Sequence, residues 1–372
     1  MKRSFVFAPA ILMVLCLSSF FVLKESEPVG KSIEAGKTFL GAKLTGKRVK
    51  NSEAIDSTFN PNSNDSRPAT LVFKSADGGQ SWKDISQGLP QKLKGGGSFT
   101  NESGLYLRDG NGMYHNRPNS TSTNWKKENF PDKQNIAAGK TGIFAYNYDG
   151  QFLEKRNGTT KWRPMYTNFK GKEVRTVFET TGGTVLISSG NSLFKSTNNG
   201  ETWKQVHMGG WVKEFVESNG VLLATSQRGI LRSTDDAENW EEVISEGGVG
   251  IDVEQIKGGF AAITYNSLLK SRRVRASYDG GKNWHLIDAG LPVQGFIASF
   301  LQPVNTGVPM EDFITSIVQV GEDFFCAHGT GIFRSSDKGK TWKLILPSND
   351  KKVFNLSLSG NVIYAIAGNG GC

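Results

Sequence analysis

Short runs of alternating or wholly apolar residues recur from Leu71 to the end of the chain. Examples are LVFKS at 71–75, SLFKS at 192–196, GILRS at 229–233, RVRAS at 273–277 and GIFRS at 331–335. Two further runs precede some of them, as in VRTVFET then TVLISS before SLFKS, and VKEFVES then VLLATS before GILRS. Length and period-two alternation predict β-strands for all of these. Each of the first five runs leads into a polar, glycine-bearing segment that ends in tryptophan. The pattern therefore predicts short strands separated by tight turns, repeated along the chain.

Five of the polar segments share one layout: SADGGQSW at 75–82, STNNGETW at 196–203, STDDAENW at 233–240, SYDGGKNW at 277–284 and SSDKGKTW at 335–342. Two degenerate copies, PNSTSTNW and KRNGTTKW, end at Trp125 and Trp162. The chemistry fits a strand-turn-strand unit. Gly79, Gly200, Gly281 and Gly339 supply a left-handed backbone, and Asp77, Asn198, Asp235, Asp279 and Asp337 can accept hydrogen bonds from turn amides. Ala237 stands where the third box would carry glycine. Trp82, Trp203, Trp240, Trp284 and Trp342 open the next strand with a large apolar face. The seven tryptophans are spaced by 43, 37, 41, 37, 44 and 58 residues, leaving Trp211 as the eighth, outside the repeat. Four strands per period of about 40 residues predict a blade, and seven boxes predict an all-β, single seven-bladed β-propeller. Only one strand precedes the first box, whereas VFNLSLSG and NVIYAIAG follow the last. The C-terminal strands are therefore expected to join the N-terminal pair in one composite blade, closing the ring.

These boxes resemble the Asp-box repeat of bacterial neuraminidases, with the pattern Ser-x-Asp-x-Gly-x-Thr-Trp, over residues 70–368. The resemblance implies a propeller with structural Asp-box turns and a site on the opposite face. The same motif occurs in sialidases, xyloglucan-type hydrolases, sortilin-like receptors and assembly factors of the photosystem II type. It therefore leaves two functions open: a binding or assembly module, and a sialidase-like glycoside hydrolase. For the hydrolase, the family's Arg-Ile-Pro signature ahead of the first box is absent, with Arg67-Pro68 in its place. Asp149, Glu254, Glu311 and Asp312 are carboxylates with nothing in their spacing to pair them. The binding reading is preferred.

Hydrophobic residues make up 37% and aromatics 10%, which excludes a wholly disordered chain. The net charge of +9 favours acidic partners without specifying one. His115, His207, His285 and His328 fall on different blades, so no metal is expected, and no cofactor motif appears. Cys326 reads as a small buried hydrophobe and Cys372 is the last residue. Lys74, Lys195, Arg232 and Arg334 recur just before the boxes and read as a solvated stripe.

Two segments between blades stand out on the face opposite the boxes. One holds His207 and Trp211. The other, 287–312, holds Phe296 and Phe300 and accounts for the 58-residue spacing. Arg272 and Arg273 add charge nearby. These six residues are the candidate binding set for a protein or glycan partner.

At the N-terminus, Met1-Lys2-Arg3 precedes an uncharged run from Ser4 to Leu23. This is the layout of an export signal or a membrane anchor over residues 1–24, and both fit. Residues 25–69 are poor in apolar residues and read as a flexible tether, with the propeller from 70 to 372. The expected setting is extracytoplasmic (periplasmic, at the cell surface or secreted), with possible membrane anchoring through residues 4–23. The protein is expected to be monomeric and to bind no nucleic acid.

Overall fold

The computed structural model describes residues 71–368 apart from 91–96, 110–111, 121–124, 132–134, 141, 148, 166–172, 293–312 and 349–352. The expected signal or anchor (1–24), the whole of the tether (25–69), Phe296, Phe300 and Cys372 lie outside the described residues. Those residues form 28 strands in seven four-stranded antiparallel sheets and include no helix.

Blade 1 is composite. From the centre outward it consists of Val353–Ser359, Val362–Gly368, Val72–Ser75 and Lys83–Asp84. Val72 pairs with Ile366 and Ser75 with Ile363, so the first described strand is sealed by the last. Blades 2 to 7 each follow chain order from the centre outward, with inner strands Ser98–Asn101, Asn135–Ala138, Val174–Glu179, Val212–Ser218, Gly250–Ile256 and Ile314–Val320. Successive inner strands contact one another all the way round, including the step from blade 1 to blade 2. The chain is a closed seven-bladed β-propeller. Blades 2 and 3 are complete despite their degenerate boxes.

The core is divided among the seven seams between blades, and each seam contains one box tryptophan. Trp342 packs with Ile287, Ile317 and Phe324 between blades 6 and 7, and Trp125 packs with Ile85 and Leu105 between blades 1 and 2. Trp203, Trp82, Trp284, Trp162 and Trp240 fill the other five seams. The forty-residue tryptophan period is thus the period of the seams.

The turns form as the residue chemistry requires. In the first, the Gly79 amide donates to Ser75 Oγ at 2.8 Å, and the Gln80 and Ser81 amides donate to Asp77 Oδ1 at 3.0 Å. The same bonds recur around Asp279 and Asp337. The Ser81 and Thr341 hydroxyls, followed by turn amides, hold the Asp77 and Asp337 carboxyls at about 2, and the Asn239 amide and side chain do the same for Asp235. Gly339 has φ +81, and a Cβ there would lie 2.5 Å from both Cβ and O of Ile287 in the preceding blade. Ala237 adopts φ +65 in its box and is fully buried against Leu186, Leu193 and Leu222.

The cations before the boxes are not a solvated stripe. Lys74, Lys195 and Arg232 are buried, and each reaches into the turn of the following blade. Lys74 Nζ donates to the carbonyls of Arg117 and Ser120, Lys195 Nζ to that of Asp236, and Arg232 Nε to that of Gly280 at 2.7 Å. A third strand lies inside the sheet, with the next blade over its face, so its long cations find carbonyl acceptors there rather than water.

Candidate functional site at the channel mouth

Box turns join the third and fourth strands of each blade. The opposite face is made by the links between blades and by the turns between second and third strands. Inner strands begin on that face. In blades 4 to 7 the register shifts near their start, at Val174/Thr176, Val212/Phe215, Gly250/Asp252 and Ile314/Ser316. A bulge at a sheet edge re-aims the side chain beside it. After the bulge, Ser316 Oγ accepts from the Leu356 amide at 2.7 Å, and Asp252 Oδ2 accepts from the Ile317 amide at 2.8 Å. Each fastens its blade to the next one.

Blade 5 places Glu214 at the corresponding position, and no protein donor faces its Oε2. Glu214 and Asp252 interact across the seam between blades 5 and 6. Glu254 lies two residues beyond Asp252 on the same strand, hence on the same face. Burial raises all three carboxyls, and their mutual repulsion adds to it for Asp252 and Glu254. Glu254 is pushed up to about 8 and Asp252 rises well above the ordinary carboxylate range. Glu214 and Glu254 keep some exposure at the inner strands, whereas Asp252 is buried. Cys326 is fully buried behind Asp252, and burial followed by the Asp252 charge pushes its thiol up. The cluster gives the mouth of the channel a group of carboxyls that burial raises above their ordinary values.

Trp211 sits immediately before the inner strand of blade 5, half-buried, and its carbonyl accepts from the Gln227 amide at 3.1 Å. His207 lies on the outer strand of blade 4, and burial lowers its imidazole below the usual histidine value. The neighbouring Met208 is 73% exposed. On blade 6 the turn between second and third strands presents Leu268, 81% exposed, and Leu269. Apolar side chains thus stand in water on blades 4 and 6, on the face that carries Trp211.

The arginines expected to add charge there are engaged within the fold. Arg273 makes two bonds to the buried Asp288 carboxylate, at 2.6 and 3.0 Å. Arg272 donates to the Ile314 carbonyl and lies over the Phe313 ring, while Arg275 bonds Thr264 and Glu246. Alternation along the strand divides them, with Arg272 toward blade 7, Arg273 toward Asp288 beyond the outer strand of blade 6, and Arg275 toward Thr264 on the second strand and Glu246 in the link from blade 5. Among the described residues no group of three His, Cys, Asp or Glu side chains is arranged to hold a metal. His328 is buried between Thr330 Oγ1 and the Pro292 carbonyl, and His115 stacks on Tyr106.

The sequence flagged Glu254 but missed Glu214 and Asp252. Their shared feature is repeat position: they follow Trp203 and Trp240 by 11 and 12 residues. Two adjacent blades that carry acids at one repeat position bring those acids together at the axis.

No family model and no curated protein matches the sequence. Among solved structures, the chain is similar in fold to the extracellular domain of a hybrid two-component system from B. thetaiotaomicron. Identity is 10% and the TM-score 0.46, over 73% of this chain and 45% of that one. It thus spans less than half of that protein's length. YCF48 from Cyanidioschyzon merolae gives 13% identity and a TM-score of 0.38, over 65% of this chain and 98% of that one. YCF48 bound to D1 peptide gives 14% and 0.30, over 64% and 93%. The propeller itself rests on the strand order and the closed inner ring.

Proposed function

We propose that this protein is an extracytoplasmic binding or assembly propeller that docks a protein partner on the face opposite the box turns, over blades 4 to 6. The observation that carries this reading is the exposure of Met208, Leu268 and Leu269 on the face that holds Trp211. Large apolar side chains held in water by a rigid scaffold are what a protein interface buries, and tryptophan and methionine are enriched there. The Asp-box resemblance and the basic, apolar N-terminal segment support the extracytoplasmic setting. The hydrolase alternative draws no support from Arg272 and Arg273, whose guanidinium groups are held by partners within the chain.

A photo-crosslinking residue at position 268, compared with one at the exposed Tyr278 beside a box turn, tests the reading in the native cell. A discrete adduct from 268, lost in the Trp211→Ala variant at unchanged protein level, is the expected result. Equal labelling from both positions would place the partner elsewhere. Turnover of a fluorogenic glycoside panel would favour the hydrolase instead.

A further inference from the structure

Eight residues before the box tryptophan, Lys74, Lys195 and Arg232 each send a cation into the turn of the next blade. Blade 3 carries Glu154 at that position, ahead of Trp162. Its carboxylate is paired with Arg156 on the same strand, at 3.1 Å. The seam between blades 3 and 4 thus receives no cation from this position. A cleft of about 520 Å³ opens there on the box-turn side.

The receiving half of the bridge is nonetheless present. In the next seam, Lys195 Nζ donates to the Asp236 carbonyl and lies 3.0 Å from Glu238. Those two residues stand four and two positions before Trp240. Asn199 and Glu201 stand four and two positions before Trp203, and both line the cleft. The two turns share one backbone shape. Asn199 and Asp236 both have φ +55, and the Gly200 and Ala237 amides both donate to the box serine hydroxyl. Blade 4 therefore presents the Asn199 carbonyl as blade 5 presents that of Asp236. Lys195 fills the seat in one seam. In the other, neither the Asn199 carbonyl nor the Glu201 carboxylate has a partner among the described residues.

The remaining walls suit an alkyl stem that ends in an ammonium. Phe144, Met165 and Val185 supply apolar surface of the kind a lysine stem covers. Three carboxylates, of Glu154, Glu179 and Glu201, face two guanidinium groups, of Arg156 and Arg163. Glu154 is taken by Arg156, and Glu179 accepts the Lys140 amide at 2.6 Å, so the open carboxylate is that of Glu201. Lys204, one residue after Trp203, also pairs with Glu238, at 2.5 Å. Arg163, one residue after Trp162, is exposed and makes no such pair among the described residues. The cleft has the size of a small-ligand site.

We infer that this cleft binds an alkylammonium group, seated on the Asn199 carbonyl and the Glu201 carboxylate as Lys195 is seated one seam further on. The site lies on the box-turn side and does not depend on the docking face proposed above. Two sources supply such a group: a free primary amine, or the side chain of a lysine in a peptide segment.

The test is fluorescence titration of the full chain with dansylcadaverine, which carries an ammonium on an alkyl stem, and with its N-acetyl derivative, which does not. The amine is expected to bind at least about tenfold more tightly, with the difference shrinking as salt rises. Glu201→Gln, an exposed change, should weaken binding about two- to fivefold. Glu154→Lys, which offers the seat an ammonium from the chain itself, should abolish it, and Arg163→Gln should not weaken it. Displacement of the probe by n-butylamine alone would assign the seat to free amines; displacement by an acetyl-Gly-Lys-Gly-amide peptide would assign it to a lysine side chain. Displacement by neither would overturn the proposal, as would equal affinity for the amine and its acetylated form. So would unchanged binding in Glu201→Gln, an equal loss in Glu102→Gln on blade 2, or a loss in Arg163→Gln. Should Glu154→Lys fail to fold, the exposed Glu201, Glu102 and Arg163 variants decide the matter.

Discussion

The indole nitrogen of Trp342 donates to the backbone carbonyl of Ile287 at 2.8 Å, tying the box of blade 7 to the outer edge of blade 6. Trp125 does the same to Ile85 across the seam between blades 1 and 2, at 2.7 Å. Trp82 and Trp240 fill equivalent seams with no partner for Nε1. The repeat thus uses one residue for two tasks, apolar filling at every seam and a hydrogen bond at some of them.

Replacing the indole separates those tasks. Trp342→Phe should cost about 1 kcal/mol more than Trp240→Phe, because only the former leaves a carbonyl without its donor. Chemical denaturation of the two variants measures the difference, and equal losses would show that the bond adds nothing to the packing.

The box glycines make a sharper contrast. Gly339→Ala forces a methyl to within 2.5 Å of Ile287 at φ +81, and a loss of about 2–4 kcal/mol is expected. Ala237→Gly runs the other way at the same repeat position. Relief of left-handed strain, about 1–2 kcal/mol, roughly offsets the loss of a buried methyl, so a net change within about 0.5 kcal/mol is expected. Melting curves of both variants against the unmodified chain provide the check.

The carboxyl cluster predicts a pH dependence with a defined sign. Folding raises the Glu254 carboxyl from its usual 4.5 to about 8, and raises those of Glu214 and Asp252 as well. The folded state therefore binds protons that the unfolded chain has released. The stability is fully present below about pH 4.5 and is lost as pH rises toward 8. The box aspartates act oppositely, but their losses fall below about pH 4. Between pH 5 and 8 the melting temperature should fall, with a cost of about 1–3 kcal/mol after allowance for partial exposure. Glu254→Gln should flatten that slope; a slope unchanged in this variant would remove Glu254 as its source.

Closure predicts the effect of shortening the chain. Ending it before Val353 removes both inner strands of blade 1 and exposes the edge of Val72–Ser75 and the flank of blade 7. Unpaired edges invite association, so aggregated or protease-sensitive product is expected. A monodisperse product that melts cooperatively would contradict the closure.

Blade number, closure and turn chemistry were legible in the sequence because each depends on local spacing. Trp82 to Trp342 mark the seams, and the serine and aspartate of each box act within a few residues of one another. The carboxyl cluster was not legible. Glu214 and Asp252 lie on different strands, and their meeting depends on bulges that no local signal announces. The buried cations were misread for a related reason. An alternating strand gives Lys74 and Lys195 the appearance of a wet face, and only the arrangement of neighbouring blades shows that the face is covered. Phe296 and Phe300, chosen for their apolar setting, fall outside the described residues, so the face that holds Trp211 is represented by Met208, Leu268 and Leu269.

The pairing of Val72 with Ile366 also fixes an order of events during synthesis. Val72–Ser75, the first of the described strands to leave the ribosome, waits for a partner at the far end of the described residues. Until Val362–Gly368 emerges, Val72–Ser75 and Lys83–Asp84 form a hairpin with no sheet to join, while blades 2 to 7 can each assemble as they appear. Until then the described blades form an array with open sheet edges at both extremes, and closing it pairs strands far apart in sequence. A chaperone that shields the early hairpin would raise the yield of closed rings without touching any other blade.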